Sequence, residues 1–286
     1  MRTNRDRLLT VAVGGEVAPA AFGANPYDVT ADGRAIIVPG MGSVNLNVRV
    51  DDPALGWVAD HVEPAVSARA RDDKENVGFC LLACVGNRAT VMSGEAKGAT
   101  GVVTGKHGGI EHVLIDFPDE ILERLAVGDK ISVRASGQGL ALPDLPSVRI
   151  FNLDPDLFER LGCEAAGDRL RVRVAKVVPA AVMGSGLGRD NVYRGDYDIQ
   201  MFSPDIVAEY ALESLRLGDV VAIQNAEHSY GRIYKTGAVS IGVVAHGASA
   251  IAGHGPGVTS LMTSGEGKID LVVDPRANIA EILGLR

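Results

Sequence analysis

Apolar and polar residues alternate along much of this chain with the two-residue period of β-strands. The alternation is clearest at residues 44–50, where valine or leucine stands at every second position. Glycine, proline, asparagine and aspartate separate these runs, as turns require. The pattern predicts strands at residues 8–13, 34–39, 45–50, 78–86, 88–94, 110–117, 130–135, 169–178, 197–202, 220–224, 238–245 and 268–274.

Four short segments predict helices instead. Two of them open with Pro-Asp, at Pro118 and Pro204, where the aspartate can cap free backbone amides, and the others cover residues 154–162 and 275–285. Strands outnumber helices, and the turns between strands are too short for regular βαβ crossovers. We therefore predict a mainly β fold of layered antiparallel sheets with a few short helices.

The sequence also contains an internal duplication. Residues 96–105 align without gaps on residues 175–184, and each copy runs into a glycine-rich loop. Because duplicated units tend to pack face to face, loops at equivalent ends are expected to line one shared cleft. With the charged stretch 69–76 as a solvated linker, the predicted parts are an N-terminal β segment (1–75), a first copy (76–166) and a second copy with a C-terminal helix (167–286).

Composition narrows the function classes. Hydrophobic residues make up 46% of the chain and aromatic residues only 5%, so the core must consist of aliphatic side chains. The net charge of -8, with scattered Lys and Arg, disfavours nucleic-acid binding. The absence of a long apolar run and of a convincing signal peptide predicts a cytoplasmic protein with no membrane association. Cys80, Cys84 and Cys163 form no metal or disulfide pattern and are predicted to be core residues.

Histidines next to carboxylates are the first candidate chemistry. In Asp-His-Val-Glu-Pro, an extended backbone would direct His61 and Glu63 to the same face, where they could bind a divalent metal or relay a proton. The alternative is a structural role at a domain junction, because the spacing matches no recognised metal signature.

The glycine loops of the two copies are the second candidate. Gly-Lys-His-Gly-Gly lacks the leading glycine and the Ser or Thr of a phosphate-binding loop, so no nucleotide is expected, but Lys106 and Gly108 can hold a carboxylate or carbonyl group. His107 would move protons beside them, and His112 and Asp198 occupy equivalent strand positions as base and acid. A plain turn between strands is the alternative.

The second loop, Gly-Ser-Gly-Leu-Gly, lacks the helix and acidic residue of a dinucleotide site, so NAD binding is not expected. A last cluster contains Arg232, His254 and Gly255, and its tight Gly-His-Gly-Pro-Gly turn can expose a ring and backbone amides to an anionic ligand. Histidines in turns are otherwise ordinary surface residues.

The motifs D-H-V-E-P, G-K-H-G-G-I-E-H, P-A-A-V-M-G-S-G-L-G and G-H-G-P-G-V-T-S resemble one conserved bacterial and archaeal family that carries only a domain-of-unknown-function label. The resemblance covers nearly the whole chain and implies a mainly β structure without an assigned reaction. Ala65 stands where the family pattern leads us to expect glycine. A fainter similarity, in Gly-Arg-Asp and L-x-x-G-D turns, links the chain to the acetamidase and formamidase hydrolases.

Two hypotheses follow. In the first, the protein is an enzyme that hydrolyses a C–N bond of a small polar metabolite, with water activated by histidine and carboxylate and with a divalent metal as an optional cofactor. In the second, the same loops bind a small ligand without catalysis, or cap the sheets and a homo-oligomer interface. The predicted residues are His107, His254, Asp198 and His112 for catalysis, Lys106, Gly108, Arg232 and Gly255 for the substrate, and His61 and Glu63 for the metal.

Overall fold

The structure is a computed structural model that describes residues 1–22, 25 and 27–285. Its strands, in chain order, are β1 (Val11–Val17), β2 (Asp28–Val29), β3 (Ala35–Ile36), β4 (Val66–Arg69), β5 (Arg88–Val91), β6 (Thr100–His107), β7 (His112–Asp116), β8 (Lys130–Ala135), β9 (Arg149–Ile150), β10 (Glu164–Ala166), β11 (Arg169–Val174), β12 (Lys176–Pro179), β13 (Val220–Glu227), β14 (Ile233–His246), β15 (Gly257–Ser264) and β16 (Ile269–Val273).

The helices are short and lie between these strands. They are α1 (Asp73–Leu82), α2 (Asp119–Leu122), α3 (Pro155–Arg160), α4 (Pro204–Glu209) and α5 (Ile279–Leu283), with 3₁₀ turns at Arg5–Arg7, Ala180–Val182 and Leu212–Ser214. The mainly β prediction is confirmed. None of the described helices is long and apolar enough to cross a membrane.

The N-terminal half forms a closed six-stranded barrel in the order β1-β4-β7-β6-β5-β8, with every neighbouring pair antiparallel. Aliphatic side chains fill its interior, among them Val66, Val103 and Ile115. Helix α1 packs against β1, β4 and β7. Gly15 in β1 permits this contact, since a Cβ there would lie 2.7 Å from the Phe79 ring. The predicted segments 1–75 and 76–166 therefore share one barrel.

The C-terminal half consists of two sheets. A five-stranded sheet, which we call the central sheet, has the order β12-β13-β14-β15-β9, and a three-stranded sheet has the order β10-β11-β16. Most pairs are antiparallel, while β12–β13 and β11–β16 are parallel. The barrel and the two C-terminal sheets thus differ in strand order.

The barrel meets the central sheet along β6. The backbone N–H of Lys106 donates to Thr259 Oγ1 at 2.9 Å, and that hydroxyl donates to the Lys106 carbonyl at 3.1 Å. A Cβ at Gly105 would lie 2.5 Å from the Cβ of Ala245, so glycine permits β6 and β14 to approach this closely. This seam brings the end of β6 next to the ends of β14 and β15.

Four local predictions were wrong, two of them for an identifiable reason. Residues 45–50 are not a strand, because the Asn45 side chain accepts from the N–H groups of Asn47 and Val48 and so holds a turn. The apolar run 78–86 belongs mostly to helix α1, which Asp72 caps inside the predicted linker. The predicted strand 169–178 is split between two sheets, and residues 197–202 form only isolated bridges.

Candidate functional site

A cleft of about 630 Å³ opens at the seam between the barrel and the central sheet. Its walls come from the turn between β6 and β7, the long loop that follows β12, the turn between β14 and β15, and parts of the chain between Phe22 and His61, with Arg232 beside them. They include the glycine loops of both copies and the last histidine cluster, as the shared-cleft prediction required.

Six polar side chains converge beneath this cleft, although they are far apart in the sequence. The imidazole rings of four histidines lie with neighbouring centroids 4.0 to 5.5 Å apart. Two aspartates from the loop after β12 contact them. The six side chains divide into two groups of three. The inner group is His107, Asp196 and His246, and the outer group is His61, Asp198 and His254.

The inner group is buried and has the donor set of a metal site. The ligand atoms of its three residues lie within 4.8 Å of one another. Nδ1 of His246 donates to the carbonyl of Gly247 at 3.0 Å, which leaves Nε2 as an acceptor. Nε2 faces Asp196 Oδ2, also an acceptor, at 2.5 Å. Neither atom has a hydrogen-bond partner among the described residues.

Glu63 fixes the third member of the inner group. Its carboxylate accepts from His107 Nδ1 at 2.6 Å, from His112 Nδ1 at 2.9 Å, from the Gly42 N–H at 2.7 Å and from the Ser67 hydroxyl. Burial raises the pKa of Glu63, but the hydrogen bonds from the two histidines outweigh burial and hold the pKa well below its ordinary value. A charged, fully hydrogen-bonded Glu63 therefore orients His107 with Nε2 turned away from it, as carboxylates behind metal-bound histidines do.

The outer group is a hydrogen-bonded chain. Asp60 accepts from His61 Nδ1 at 2.6 Å, so Nε2 of His61 can accept from His254 Nδ1 at 3.0 Å. Asp198 lies 3.2 Å from the same nitrogen of His254, and this hydrogen bond raises the pKa of His254. Burial raises the pKa of Asp60, but hydrogen bonding to His61 lowers it to a net value below the ordinary one. His254 is the most exposed member and lies at the cleft wall.

Three glycines shape the two groups. The Gly108 N–H donates to Asp196 Oδ1 at 2.9 Å, and the Gly255 N–H donates to Asp198 Oδ2 at 3.3 Å. A Cβ at Gly257 would lie 2.1 Å from both Asp196 Oδ2 and His246 Nε2. Only glycine at position 257 leaves these ligand atoms in place.

The structure brings together six of the ten predicted site residues at the cluster itself. His61, His107, His254 and Asp198 belong to it, and Gly108 and Gly255 orient its aspartates. Arg232 lines the cleft and is buried.

The other predicted residues lie behind the cleft. Glu63, predicted as a metal ligand, instead orients His107, and His112 contacts Glu63 without lining the cleft. Lys106, predicted to bind substrate, points away: its Nζ donates to Asn152 Oδ1 and to the Tyr193 carbonyl, each at 2.7 Å. Burial lowers the pKa of Lys106 to about 8.

The predicted site residues did not include Asp60, Asp196 or His246. His246 ends an apolar strand, and nothing local distinguishes it from a core histidine. The prediction that residues 60–63 are extended was also wrong, since His61 has φ +49°. Ala65, where glycine was expected, has φ +54°, which explains the expectation.

Fold and site together define a mainly β protein in which a buried histidine and aspartate cluster joins two halves of one chain. Residues 27–159 match the family described as domain of unknown function (DUF4438), N-terminal, and residues 160–283 match its C-terminal counterpart. The chain therefore belongs to the DUF4438 family, which confirms the resemblance seen in its motifs.

One solved structure, described as the crystal structure of TM1086, is 49% identical to this chain with a TM-score of 0.94, and the match covers 98% of both chains. A search of curated proteins found no match. The similarity to acetamidase and formamidase stays a prediction.

Proposed function

We propose that this protein is a metal-dependent enzyme that hydrolyses a C–N bond of a small polar metabolite. The observation that carries the proposal is the pair of buried acceptors, Asp196 Oδ2 and His246 Nε2, which lie 2.5 Å apart without a hydrogen-bond partner among the described residues. Only a proton or a cation can hold two such atoms together. In neutral His246 the single ring proton is on Nδ1, which donates to the Gly247 carbonyl, so we assign the contact to a cation and not to a shared proton.

The donor set supports a divalent ion. Two imidazoles and one carboxylate are typical ligands of catalytic Zn²⁺, and His107 and Asp196 both line the cleft. Glu63 and the Gly247 carbonyl accept from the Nδ1 atoms of the two histidines, as the acceptors behind metal-bound histidines do. Zn²⁺ at this position would supply Lewis acidity to polarise a carbonyl group and to activate water.

The outer group supports acid–base chemistry. Its hydrogen bonds are satisfied without an ion, because Asp60 fixes the His61 tautomer and His61 accepts from His254. Hydrolysis of a C–N bond requires a proton for the leaving nitrogen. His254, at the cleft wall and with a raised pKa, would donate that proton, and Asp198 would hold its ring in position.

Metal analysis of the purified protein tests the ion. We expect one equivalent of zinc per chain in the wild type, and its loss in His246→Ala and Asp196→Asn. His228→Ala is the matched control, since His228 is equally buried but contacts Ser260 outside the cluster. A metal-free wild type, or variants that keep the ion, would contradict the site. Two equivalents would contradict the assignment of the outer group, and an iron content would contradict hydrolysis in favour of oxygen chemistry.

Turnover is tested separately with a panel of amides, ureides and amidines, followed by release of ammonia or primary amine. We expect release with metal-loaded wild type and none with His246→Ala. A bound ion with no turnover across the panel would favour the non-catalytic ligand-binding hypothesis. The cytoplasmic location and the homo-oligomer stay predictions.

A further inference from the structure

We propose that Arg232 is a substrate-anchoring residue that binds a carboxylate group of the substrate in a bidentate manner. This inference rests on the proposed function and adds the class of substrate: a small molecule that carries a carboxylate near the hydrolysed bond.

Arg232 is only 1% exposed, yet its guanidinium has little to bind. Nη1 makes one long contact, 3.5 Å, with the Gly186 carbonyl. Nε and Nη2 have no hydrogen-bond partner among the described residues. No carboxylate of the described residues lies closer than 4.0 Å to the guanidinium nitrogens. The Tyr197 ring centroid is 5.7 Å from Cζ of Arg232.

A buried, unpaired guanidinium is costly, because charged side chains are almost never fully buried without a partner. The two unpartnered nitrogens, Nε and Nη2, form one edge of the planar group. Their N–H bonds run parallel and match the two oxygens of a carboxylate. The side chain therefore presents an unused fork for a planar oxyanion.

The position of Arg232 places it at the wall of the proposed reaction site. Arg232 lines the same cleft as His107, Asp196 and His254. Burial lowers the pKa of Arg232, and the charges of Asp196 and Asp198 only partly oppose this shift. A substrate held by Arg232 would thus extend toward the inner group.

The charge of the cleft favours a carboxylate over a phosphate. Six carboxylates line the cleft, against three arginines, so a phosphate group, which concentrates up to two negative charges at one position, would meet more repulsion beside Arg232 than a carboxylate group, which carries one. The acidic lining residues are Asp28, Asp60, Glu111, Asp190, Asp196 and Asp198.

Thermal unfolding with malonate and with inorganic phosphate tests the inference. We expect malonate to raise the midpoint of wild-type unfolding by mass action. Arg232→Lys keeps the charge but loses the fork, and should weaken the apparent affinity for malonate by about 10- to 100-fold. Arg189→Met is the matched control, because Arg189 lines the same cleft but is exposed, and should leave the response intact.

A second measurement needs no ligand. In buffer without oxyanions, Arg232→Met should unfold at a midpoint higher than wild type, by about 2 °C or more, because it removes an uncompensated buried charge. A lower midpoint would show that Arg232 is a structural residue and overturn the inference. An unchanged malonate response in Arg232→Lys, or stabilisation by phosphate alone, would overturn it as well.

His246→Ala separates this inference from the proposed function. The variant removes an inner-group ligand but leaves Arg232 in place, so malonate should still stabilise it. If the purified protein contains no metal but malonate still stabilises it, the anion site at Arg232 is supported and the metal site is not. If the response requires His246, the oxyanion binds elsewhere and Arg232 is not its anchor.

Discussion

Substitution of Gly257 by alanine tests the inner group without removing any of its ligands. Gly257 begins β15 and pairs with His246 at the end of β14. The added Cβ would lie 2.1 Å from Asp196 Oδ2 and 2.1 Å from His246 Nε2. Favourable non-bonded contacts begin near about 3.5 Å, so both ligand atoms would have to withdraw by about 1 Å or more.

Metal coordination does not tolerate such a displacement. Metal–ligand distances vary by only about 0.2 Å in a functional site, so we expect Gly257→Ala to weaken metal affinity by more than about 100-fold. Overpacking should lower the free energy of unfolding by about 1–3 kcal/mol. Competition with a chelator measures the first effect, and urea unfolding of the metal-free protein measures the second.

Gly78→Ala is the matched control. Gly78 lies inside helix α1, and an added Cβ there would meet nothing within 4 Å. Alanine is the better helix former, so this variant should gain about 0.5–1 kcal/mol and bind the ion like wild type. If Gly257→Ala also bound the ion like wild type, Asp196 and His246 would not be its ligands.

Three further changes give separate tests. Glu63→Gln should cost about 3–5 kcal/mol at pH 7. The pKa of Glu63 is lowered in the folded state, so the stabilisation by its carboxylate is present above the unfolded-state pKa and is lost as pH falls through the folded-state pKa. The difference in urea midpoint between wild type and Glu63→Gln should therefore narrow at acidic pH. A difference that stays constant with pH would contradict this. Arg49→Met removes the buried bidentate hydrogen bond between Arg49 and Asp116 and should lower the free energy of unfolding by about 3–5 kcal/mol. A loss below about 1 kcal/mol, the value of an exposed ion pair, would show that burial does not strengthen this contact. Asp72→Ala removes the cap of helix α1 and should cost about 1 kcal/mol in the same assay, and no loss would mean that the cap is dispensable.

Local pattern predicted the fold where one face of a strand is buried or a helix has clear end signals. Strand β11 alternates between buried and more exposed residues, and α3 lies within the predicted segment 154–162, with Asp154 as its cap. The caps predicted at Asp119 and Asp205 are wrong, because neither α2 nor α4 has a side-chain cap among the described residues. The prediction failed at α1, because an apolar run shorter than ten residues fits a strand or a helix equally well. The helix at α1 is selected by tertiary packing, because Asn76, Phe79 and Cys80 form one buried face that contacts the barrel.

The site was partly predictable for a similar reason. His107 and His254 stand beside glycines, and glycine-rich turns are where chains expose side chains to ligands. His246 lies inside a buried strand, and its partner Asp196 is fifty positions away, so only the folded chain shows their contact. Lys106 misled for the opposite reason, since its glycine-rich motif predicts a loop while Gly105, Lys106 and His107 all belong to β6.

The seam between the barrel and the central sheet has a consequence for how the chain is divided. His107 belongs to the part that matches the N-terminal family domain, whereas Asp196 and His246 belong to the C-terminal one. Neither half, expressed alone, would retain the three ligands of the inner group. An ion bound there would cross-link the halves, so metal loading should make them unfold as one cooperative unit, and the two domains are expected to persist only as a pair.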